Sequence, residues 1–202
     1  MPEKKISSTP HEKRGFQSSA SPPFSSDGEA WDAFRQGNES AFIFIYETYF
    51  EILFGYGFSI VPDPNIVKDS LQDLFIQLRE RRGQLGSTDS IKFYLFKCLK
   101  RRLQKEISKW PGIKDSLDAI PADFLFTLSY EAQLIDKQLT TEKITHLNEA
   151  ITKLSKRQRE IIYYSFFEGF NYTQIQEIMG LESHQSGRNL MYKALKELRK
   201  LL

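Results

Sequence analysis

Apolar residues recur at three- and four-residue spacing along most of the chain, which is the pattern of amphipathic helices. Up to about Ile107 this pattern predicts four helices. The first is EAWDAFRQ, which ends at Gly37 and Asn38, and the second runs from about Glu39 to Ile60, where Pro62 and Pro64 stop it. The third is IVKDSLQDLFIQLRERR, which is capped by Asp63 or Asn65 and ends at Gly83. The fourth is SIKFYLFKCLKRRLQKEISKW, which ends at Pro111. We expect them to form one compact helical domain.

Helical order resumes near Thr140 and carries its own start and stop signals. Ser155 with Gln158 predicts a capping box ahead of KRQREIIYYSFFEG. Asn171 predicts the cap of YTQIQEIM, Gly180 suits a left-handed helix end, and Ser183 predicts the start of a final helix from His184. Two short capped helices joined by a tight glycine turn predict a helix-turn-helix.

The fold class expected from these elements is all-α, with two small helical domains joined by a linker. Residues 1–27 are rich in Ser, Pro and Lys and are expected to be a disordered tail. Residues 28–109 form the first domain, and residues 140–202 form the second. Residues 110–139 contain prolines, a glycine and isolated apolar residues, which favours a linker.

Composition narrows the function classes. The chain has 202 residues, 40% of them hydrophobic, and a formal net charge of only +2, so the position of the charges matters more than their sum. No apolar run approaches a membrane span of about 20 residues, and the N-terminus lacks the apolar block of a signal peptide, so we expect a cytoplasmic protein. One cysteine and three scattered histidines predict no disulfide and no metal site, and no cofactor is expected.

The polar face of the final helix carries side chains that suit a DNA major groove. Arg matches guanine, Asn and Gln match adenine, and Lys matches phosphate. The candidate DNA-binding residues are His184, Gln185, Arg188, Asn189, Tyr192, Lys193 and Lys196. Side chains in the first two turns are placed to reach base edges, whereas those farther along can only meet phosphate. The alternative is an ordinary helical hairpin with a solvated polar face.

The fourth helix has aromatic and cationic residues on the face opposite its core residues. Rings outside a core invite base stacking and neighbouring cations attract phosphate, which favours unpaired DNA over closed duplex. The candidates are Phe93, Tyr94, Lys97, Lys100 and Arg101. In the alternative interpretation, Phe93 and Tyr94 pack on a neighbouring helix and the cations serve solubility.

The third helix has the opposite character. Beside a core stripe that includes Leu71 and Phe75, it presents an acidic and amide face that would repel DNA and suits a basic protein surface. The candidate contact residues on this face are Asp69, Gln72, Asp73 and Gln77. A solvated acidic face is the alternative.

Taken in order, these motifs resemble a bacterial sigma factor of the extracytoplasmic-function group, a branch of the sigma-70 family, and in particular the variety common in Bacteroidetes. The resemblance covers about Ala30 to Leu202. VKDSLQDLFIQL is similar to the family's Asp-x-x-Gln-acidic-x-Phe signature, and DSIKFYLFKCLKRRL to its promoter-opening helix. LSKRQREIIYYSFFEGFNYTQIQEIMGL and RNLMYKALKELR are similar to its fourth region.

The resemblance implies that the acidic third helix docks on the coiled-coil clamp of the polymerase's largest subunit. It implies that the loop from Gly83 to Asp89 and the helix after it capture a flipped base of the minus-ten element, and that the last helix reads the minus-thirty-five element. Two positions depart from the family's pattern: Gly187 stands where Val or Ala is usual, and Arg79 where Trp is frequent.

The function expected is that of a sigma factor, which catalyses nothing itself but directs core RNA polymerase to promoter DNA and helps to open it. The family also implies an anti-sigma factor anchored in the membrane as a partner. Two alternatives remain open at this point: a helix-turn-helix regulator independent of polymerase, and an all-helical adaptor that binds only protein.

Overall fold

The structure is a computed structural model, and it describes residues 24–109 and 141–202. Its elements are α1 (Asp27–Arg35), α2 (Glu39–Ile60), α3 (Pro64–Glu80), a 3-10 turn (Arg82–Gln84), α4 (Ile91–Lys109), α5 (Thr141–Thr152), α6 (Lys156–Ile162), a π-helical turn (Tyr163–Phe167), α7 (Tyr172–Met179) and α8 (His184–Leu201). The described residues contain no strand, and the expectation of an all-α fold is confirmed. The predicted linker at 110–139 and residues 1–23 of the predicted tail lie outside the described residues. The prediction that the tail extends to residue 27 is wrong, because Ser26 caps α1 and Asp27 is its first residue.

Helices α1 to α4 pack as one unit, which we call the N-terminal bundle. Its core is built from buried aromatic and aliphatic side chains of all four helices, including Trp31, Leu53, Leu71 and Leu99. Asp27 ties three elements together: its carboxylate accepts hydrogen bonds from the Tyr49 hydroxyl at 3.0 Å and from the backbone N–H of Ile91 at 2.9 Å. The second bond satisfies one of the free N–H groups at the start of α4.

Capping residues set most of the helix ends. Asp63 accepts from the backbone N–H groups of Asn65 and Ile66 and begins α3. Ser26 and Asn38 cap α1 and α2 in the same way. Each carboxylate, amide or hydroxyl oxygen replaces a missing intrahelical acceptor.

Helices α5 to α8 form the C-terminal bundle. The Arg159 guanidinium is buried and donates to the carbonyl oxygens of Thr152 at 2.9 Å and Leu154 at 2.8 Å, which closes the end of α5. After α6 the backbone widens into the π-helical turn, where the N–H of Glu168 bonds the carbonyl oxygen of Tyr163. This turn directs Tyr163 and Tyr164 into the interior, where both are buried.

Candidate nucleic-acid and polymerase interfaces

The polar residues predicted on α3 all lie at the surface. Asp69, Gln72, Asp73 and Gln77 are exposed, whereas Phe75 is buried in the core as the motif implied. Two of the four are held by a cation from α4: Arg102 donates to Asp73 Oδ2 at 3.0 Å and to Gln77 Oε1 at 2.6 Å. The charge of Asp73 is therefore partly compensated within the chain, while Asp69 and Gln72 lie farther along the same face.

An aromatic groove borders this face, and sequence patterns did not indicate it. A cavity of about 460 Å³ lies between α2 and α3 and is lined by Phe42, Tyr46, Phe50, Lys68, Gln72, Phe75, Ile76 and Arg79. Tyr46 and Ile76 are 41% and 46% exposed. The one sequence feature that could have indicated the groove is Ile76, a single apolar residue on an otherwise polar helix face.

Arg79, which departs from the family's pattern, has a defined role in this groove. Its guanidinium lies 5.6 Å from the centroid of the Phe42 ring and 2.9 Å from a carboxylate oxygen of Glu39. Glu39 Oε1 also accepts a hydrogen bond from Arg82 Nη1 at 2.7 Å. This bond is the main cause of the lowered pKa of Glu39. Arginine thus covers an aromatic ring at this position with a flat, charged group.

The loop between α3 and α4 is anchored by α1 through its backbone. The indole N–H of Trp31 donates to the carbonyl oxygen of Gly86 at 2.8 Å, and Arg35 Nε donates to that of Leu85 at 2.7 Å. These long-range bonds fix the segment expected to capture a flipped base, and side-chain periodicity could not have revealed them.

The five predicted minus-ten residues fall into two groups. Tyr94 and Arg101 line an open cavity of about 410 Å³ between α3, α4 and the anchored loop. Arg81, Arg102 and Lys105 line it too, and we call it the basic groove. Arg81, Arg102 and Lys105 were not singled out from the sequence, because Arg81 lies at a helix end and the other two lie outside the expected stripe.

Tyr94 combines a packing role with its place in the basic groove. Its ring lies 5.0 Å from that of Trp31, centroid to centroid, and burial raises its pKa to about 12. Cys98 lies in the same groove, and burial also raises the pKa of its thiol. Both groups are therefore neutral at neutral pH.

Phe93, Lys97 and Lys100 form the second group and contact the C-terminal bundle. The ring of Phe93 meets Phe170 edge-on at 5.4 Å. Lys97 pairs with Glu177 of α7. Lys100 pairs with Glu160 of α6 and also donates to the carbonyl oxygen of Ile178 at 3.0 Å. The side chain of Lys100 is only 12% exposed. The sequence predicted that these three residues lie on a free surface, but in the structure they are covered by the C-terminal bundle.

The last two helices have the geometry of a helix-turn-helix. Asn171 and Gln174 form a reciprocal capping box at the start of α7, and Gly180 ends that helix with a φ of 59°. Ser183 accepts a hydrogen bond from the backbone N–H of Ser186 and begins α8 at His184. The caps predicted from the sequence are the ones observed.

All seven candidate residues on α8 are exposed: His184, Gln185, Arg188, Asn189, Tyr192, Lys193 and Lys196. Gln185 Nε2 donates to Asn189 Oδ1 at 3.0 Å, and the Arg188 guanidinium lies 5.8 Å from the centroid of the Tyr172 ring. These contacts hold three polar side chains in order along the first two turns. A surface of this kind can present hydrogen-bond donors and acceptors to base edges.

Within residues 24–109 and 141–202, no group of His, Cys, Asp and Glu could hold a metal ion. None of the helices described there is long and apolar enough to cross a membrane.

Residues 146–198 match the family model for sigma-70, region 4, which spans most of α5 to α8. No curated protein sequence matches the chain. The structure is similar to CnrH in complex with the cytosolic domain of CnrY, with a TM-score of 0.53 at 14% identity, covering 85% of this chain and 94% of that one. It is also similar to the sigma factor RpoE in complex with the anti-sigma factor NepR from Bartonella quintana, with a TM-score of 0.50 at 17% identity, covering 77% and 92%. Residues 146–198 therefore form a sigma-70 region 4 domain that contains the helix-turn-helix, and the chain shares over most of its length the fold of CnrH and of the sigma factor RpoE.

Proposed function

We propose that this chain is a promoter-specificity factor that binds core RNA polymerase, directs it to promoter DNA and helps to open the start site. The observation that carries this proposal is the region 4 match over residues 146–198, in which the predicted reading helix presents seven exposed polar side chains. We place this activity in the cytoplasm, where bacterial polymerase and DNA are found.

Helix α8 is proposed to read the minus-thirty-five element. Gln185, Arg188 and Asn189 lie in its first two turns on the exposed face. Side chains of these types can form bidentate contacts with adenine or guanine. Tyr192, Lys193 and Lys196 lie farther along, where the helix leaves the groove, and they are assigned to the phosphate backbone.

The basic groove is proposed to bind the unpaired minus-ten strand. Arg81, Arg101 and Lys105 surround it and supply charge for phosphates, while Tyr94 supplies a partly exposed ring. Its volume of about 410 Å³ falls within the range of ligand sites, about 300–1,000 Å³. Lys97, Lys100 and Phe93 extend this surface when the C-terminal bundle is moved away.

The polar face of α3 is proposed to bind the polymerase. Asp69, Gln72, Asp73 and Gln77 offer carboxylate and amide oxygens to a basic partner helix, and this face is free of the C-terminal bundle. The neighbouring aromatic groove, with Tyr46 and Ile76 half exposed, supplies apolar area beside the polar contacts. Apolar anchors flanked by polar groups are typical of tight protein interfaces.

An anti-sigma factor is the regulatory partner expected for this chain. The similar structure of RpoE contains the anti-sigma factor NepR, and that of CnrH contains the cytosolic domain of CnrY. We propose that this chain also binds an anti-sigma factor, anchored in the membrane, which regulates it.

The test is to mix the purified chain with core RNA polymerase and measure two outcomes: co-elution on size exclusion, and a transcript from a template whose start site is already melted. Both are expected. A chain that binds duplex DNA but never co-elutes with polymerase would instead be an independent helix-turn-helix regulator, and one that binds neither would be an adaptor.

A further inference from the structure

Three side chains of α1 hold the backbone of the segment between α3 and α4. Asp27, Trp31 and Arg35 follow one another at four-residue spacing, so they form a stripe along one side of α1. Each of them hydrogen-bonds one backbone group of the segment: the N–H of Ile91 at 2.9 Å, the carbonyl oxygen of Gly86 at 2.8 Å and that of Leu85 at 2.7 Å. The stripe and the segment therefore run in opposite directions and are joined at three points.

Residues 85–90, which we call the 85–90 loop, have little support of their own. In the part of the chain that the structure describes, residues 86–89 make no hydrogen bond from backbone to backbone. Within the loop, Thr88 Oγ1 donates to the carbonyl oxygen of Ser90 at 3.2 Å and accepts from its N–H at 3.3 Å. The conformation of the loop therefore depends on the three bonds from α1, because these fix it to the rest of the N-terminal bundle.

Trp31 connects the loop to the basic groove. Its side chain is 1% exposed, and its ring lies 5.0 Å from that of Tyr94, centroid to centroid. Tyr94 and Leu85 both line the basic groove. One buried indole thus positions a ring of the groove through packing, and the loop at the edge of the groove through its hydrogen bond to Gly86.

Arg35 is itself held in place on α1. Its Nη1 donates to Asp32 Oδ1 at 3.0 Å, while its Nε donates to the loop. A planar guanidinium that is bonded at two points has lost most of its side-chain freedom. Arg35 therefore offers the carbonyl oxygen of Leu85 a fixed donor and does not behave as a flexible surface cation.

With its backbone held, the loop presents polar side chains to solvent. Ser87 and Asp89 are exposed, and Thr88 is partly exposed. Hydrogen-bonding groups discriminate between bases only when they are held close to the productive geometry. Three anchors from a packed helix meet this requirement, although the anchoring side chains need not touch the DNA.

We propose that Asp27, Trp31 and Arg35 are positioning residues that hold the 85–90 loop in the conformation in which it selects one base of the unpaired strand. In this arrangement α1 sets base selectivity through the loop and not through contacts of its own. This inference rests on the proposed function, since it requires that the loop receives a base of the opened promoter.

The test uses the full chain in complex with core RNA polymerase. The probe is a fluorescein-labelled library of single strands of about 12 nucleotides with every position randomised. Sequencing of the bound strands gives the enrichment of each base at each position, and anisotropy gives the overall affinity. Arg35→Gln removes the donor to Leu85. Lys153→Gln makes the same change in net charge at an exposed residue of the C-terminal bundle and is the control.

Arg35→Gln is expected to reduce the enrichment of the preferred base by about fivefold to tenfold, which corresponds to about one more backbone residue that must be ordered on binding. Binding to polymerase and overall affinity for the library should match those of the control. Arg35→Lys should recover part of the enrichment, because its ammonium can still donate to the carbonyl oxygen. Unchanged enrichment in Arg35→Gln, or an equal loss of affinity for all sequences, would overturn the inference.

Trp31→Phe removes a second anchor while it keeps a ring beside Tyr94. Because it lacks the indole N–H that bonds Gly86, it is expected to lose enrichment at the same position as Arg35→Gln. Trp31 is buried, so thermal unfolding of this variant is measured alongside. A folded Trp31→Phe variant with the enrichment of the parent chain would contradict the positioning role of Trp31.

Limited digestion with trypsin reports the state of the loop without DNA. Cleavage after Arg82 requires the neighbouring backbone to detach, and the bond from Arg35 to Leu85 opposes this detachment. The Arg82 cut, followed by mass spectrometry, is expected to form several times faster in Arg35→Gln than in Lys153→Gln. Equal rates would show that Arg35 does not hold the loop.

The parent complex separates this inference from the proposed function. If it enriches one base and Arg35→Gln enriches that base equally, binding of the unpaired strand stands and the positioning role of α1 is wrong. If the parent complex binds the library without preference at any position, base capture by the loop and its positioning by α1 are both wrong.

Discussion

The substitution Gly187→Ala adds one methyl group to the proposed reading helix and so tests how α8 packs against the core of the C-terminal bundle. Gly187 is buried in the first turn of α8, on the face turned away from the candidate DNA-binding residues. A Cβ built there would lie 3.4 Å from Leu181 Cδ1 and 3.4 Å from Tyr172 Cδ1. These separations are ordinary van der Waals contacts, so the methyl group fits.

The expected gain follows from two terms. Alanine is favoured over glycine in a helix interior by about 1 kcal/mol, and burial of one methyl group contributes at most about 0.8 kcal/mol. The approach of two neighbours reduces the second term, so we expect a gain of about 1 kcal/mol in the free energy of unfolding. In a chain of this size, that corresponds to a rise in Tm of about 2–4 °C.

Urea unfolding followed by far-UV circular dichroism measures this gain, with Gly57→Ala as the contrasting variant. A Cβ at Gly57 would lie 2.7 Å from Val67 Cγ1, and the β-branched Val67 has little rotamer freedom in a helix. We expect Gly57→Ala to be destabilising by about 1–3 kcal/mol despite its helix propensity. A lower stability of Gly187→Ala than of the parent would refute the packing described for α8. Its preference among promoter sequences should not change, because the added methyl group faces the core.

Three further predictions follow from the interfaces. Asp73→Lys should lose binding to core polymerase, whereas Arg102→Gln, which removes the other partner of the same ion pair, should retain it. A pull-down with core enzyme measures both. Equal loss of binding in the two variants would assign Asp73 a purely structural role. Arg188→Ala should weaken binding to the preferred duplex by about 1–3 kcal/mol and reduce the preference at one base pair. Lys196→Ala should weaken binding to all sequences alike and lower the slope of log affinity against log salt concentration by about one unit. Fluorescence anisotropy on a promoter library at several salt concentrations distinguishes the two. Tyr164→Phe should destabilise the chain by about 1–3 kcal/mol, because the buried Tyr56 hydroxyl loses its partner. Adding Tyr56→Phe should recover part of that stability. Thermal unfolding of the single and double variants measures both effects, and additive losses would contradict a coupled pair.

Local signals in the sequence predicted the helices well. The range of α2 agrees with the expected one, and Asn171, Ser183 and Gly180 occupy the cap positions assigned to them. Of the two candidates for the cap of α3, Asp63 and Asn65, the structure has Asp63. Capping depends on a few neighbouring residues, so a single sequence contains the information. The π-helical turn at Tyr163–Phe167 was missed because its side chains fit an ordinary helical pattern over five residues.

The environment of α4 could not be predicted from periodicity. The pattern separated the face of Leu95 from the face of Lys97, but it does not reveal whether a polar face meets solvent or another part of the chain. Glu160 and Glu177 lie 60 and 80 residues away from their lysine partners in the sequence. The local sequence pattern around each glutamate predicts an exposed surface residue. For the same reason, Arg81, Arg102 and Lys105 were recognised only when the basic groove was observed.

The most direct test of the central claim is transcription of sheared genomic DNA by core RNA polymerase with and without this chain, with the RNA 5′ ends mapped by sequencing. The account predicts a new set of start sites that appears only with the chain and shares two upstream sequence blocks. Arg188→Ala should alter the distal block and leave the proximal one unchanged. If core polymerase yields the same start sites with and without the chain, the proposed role in promoter recognition is wrong.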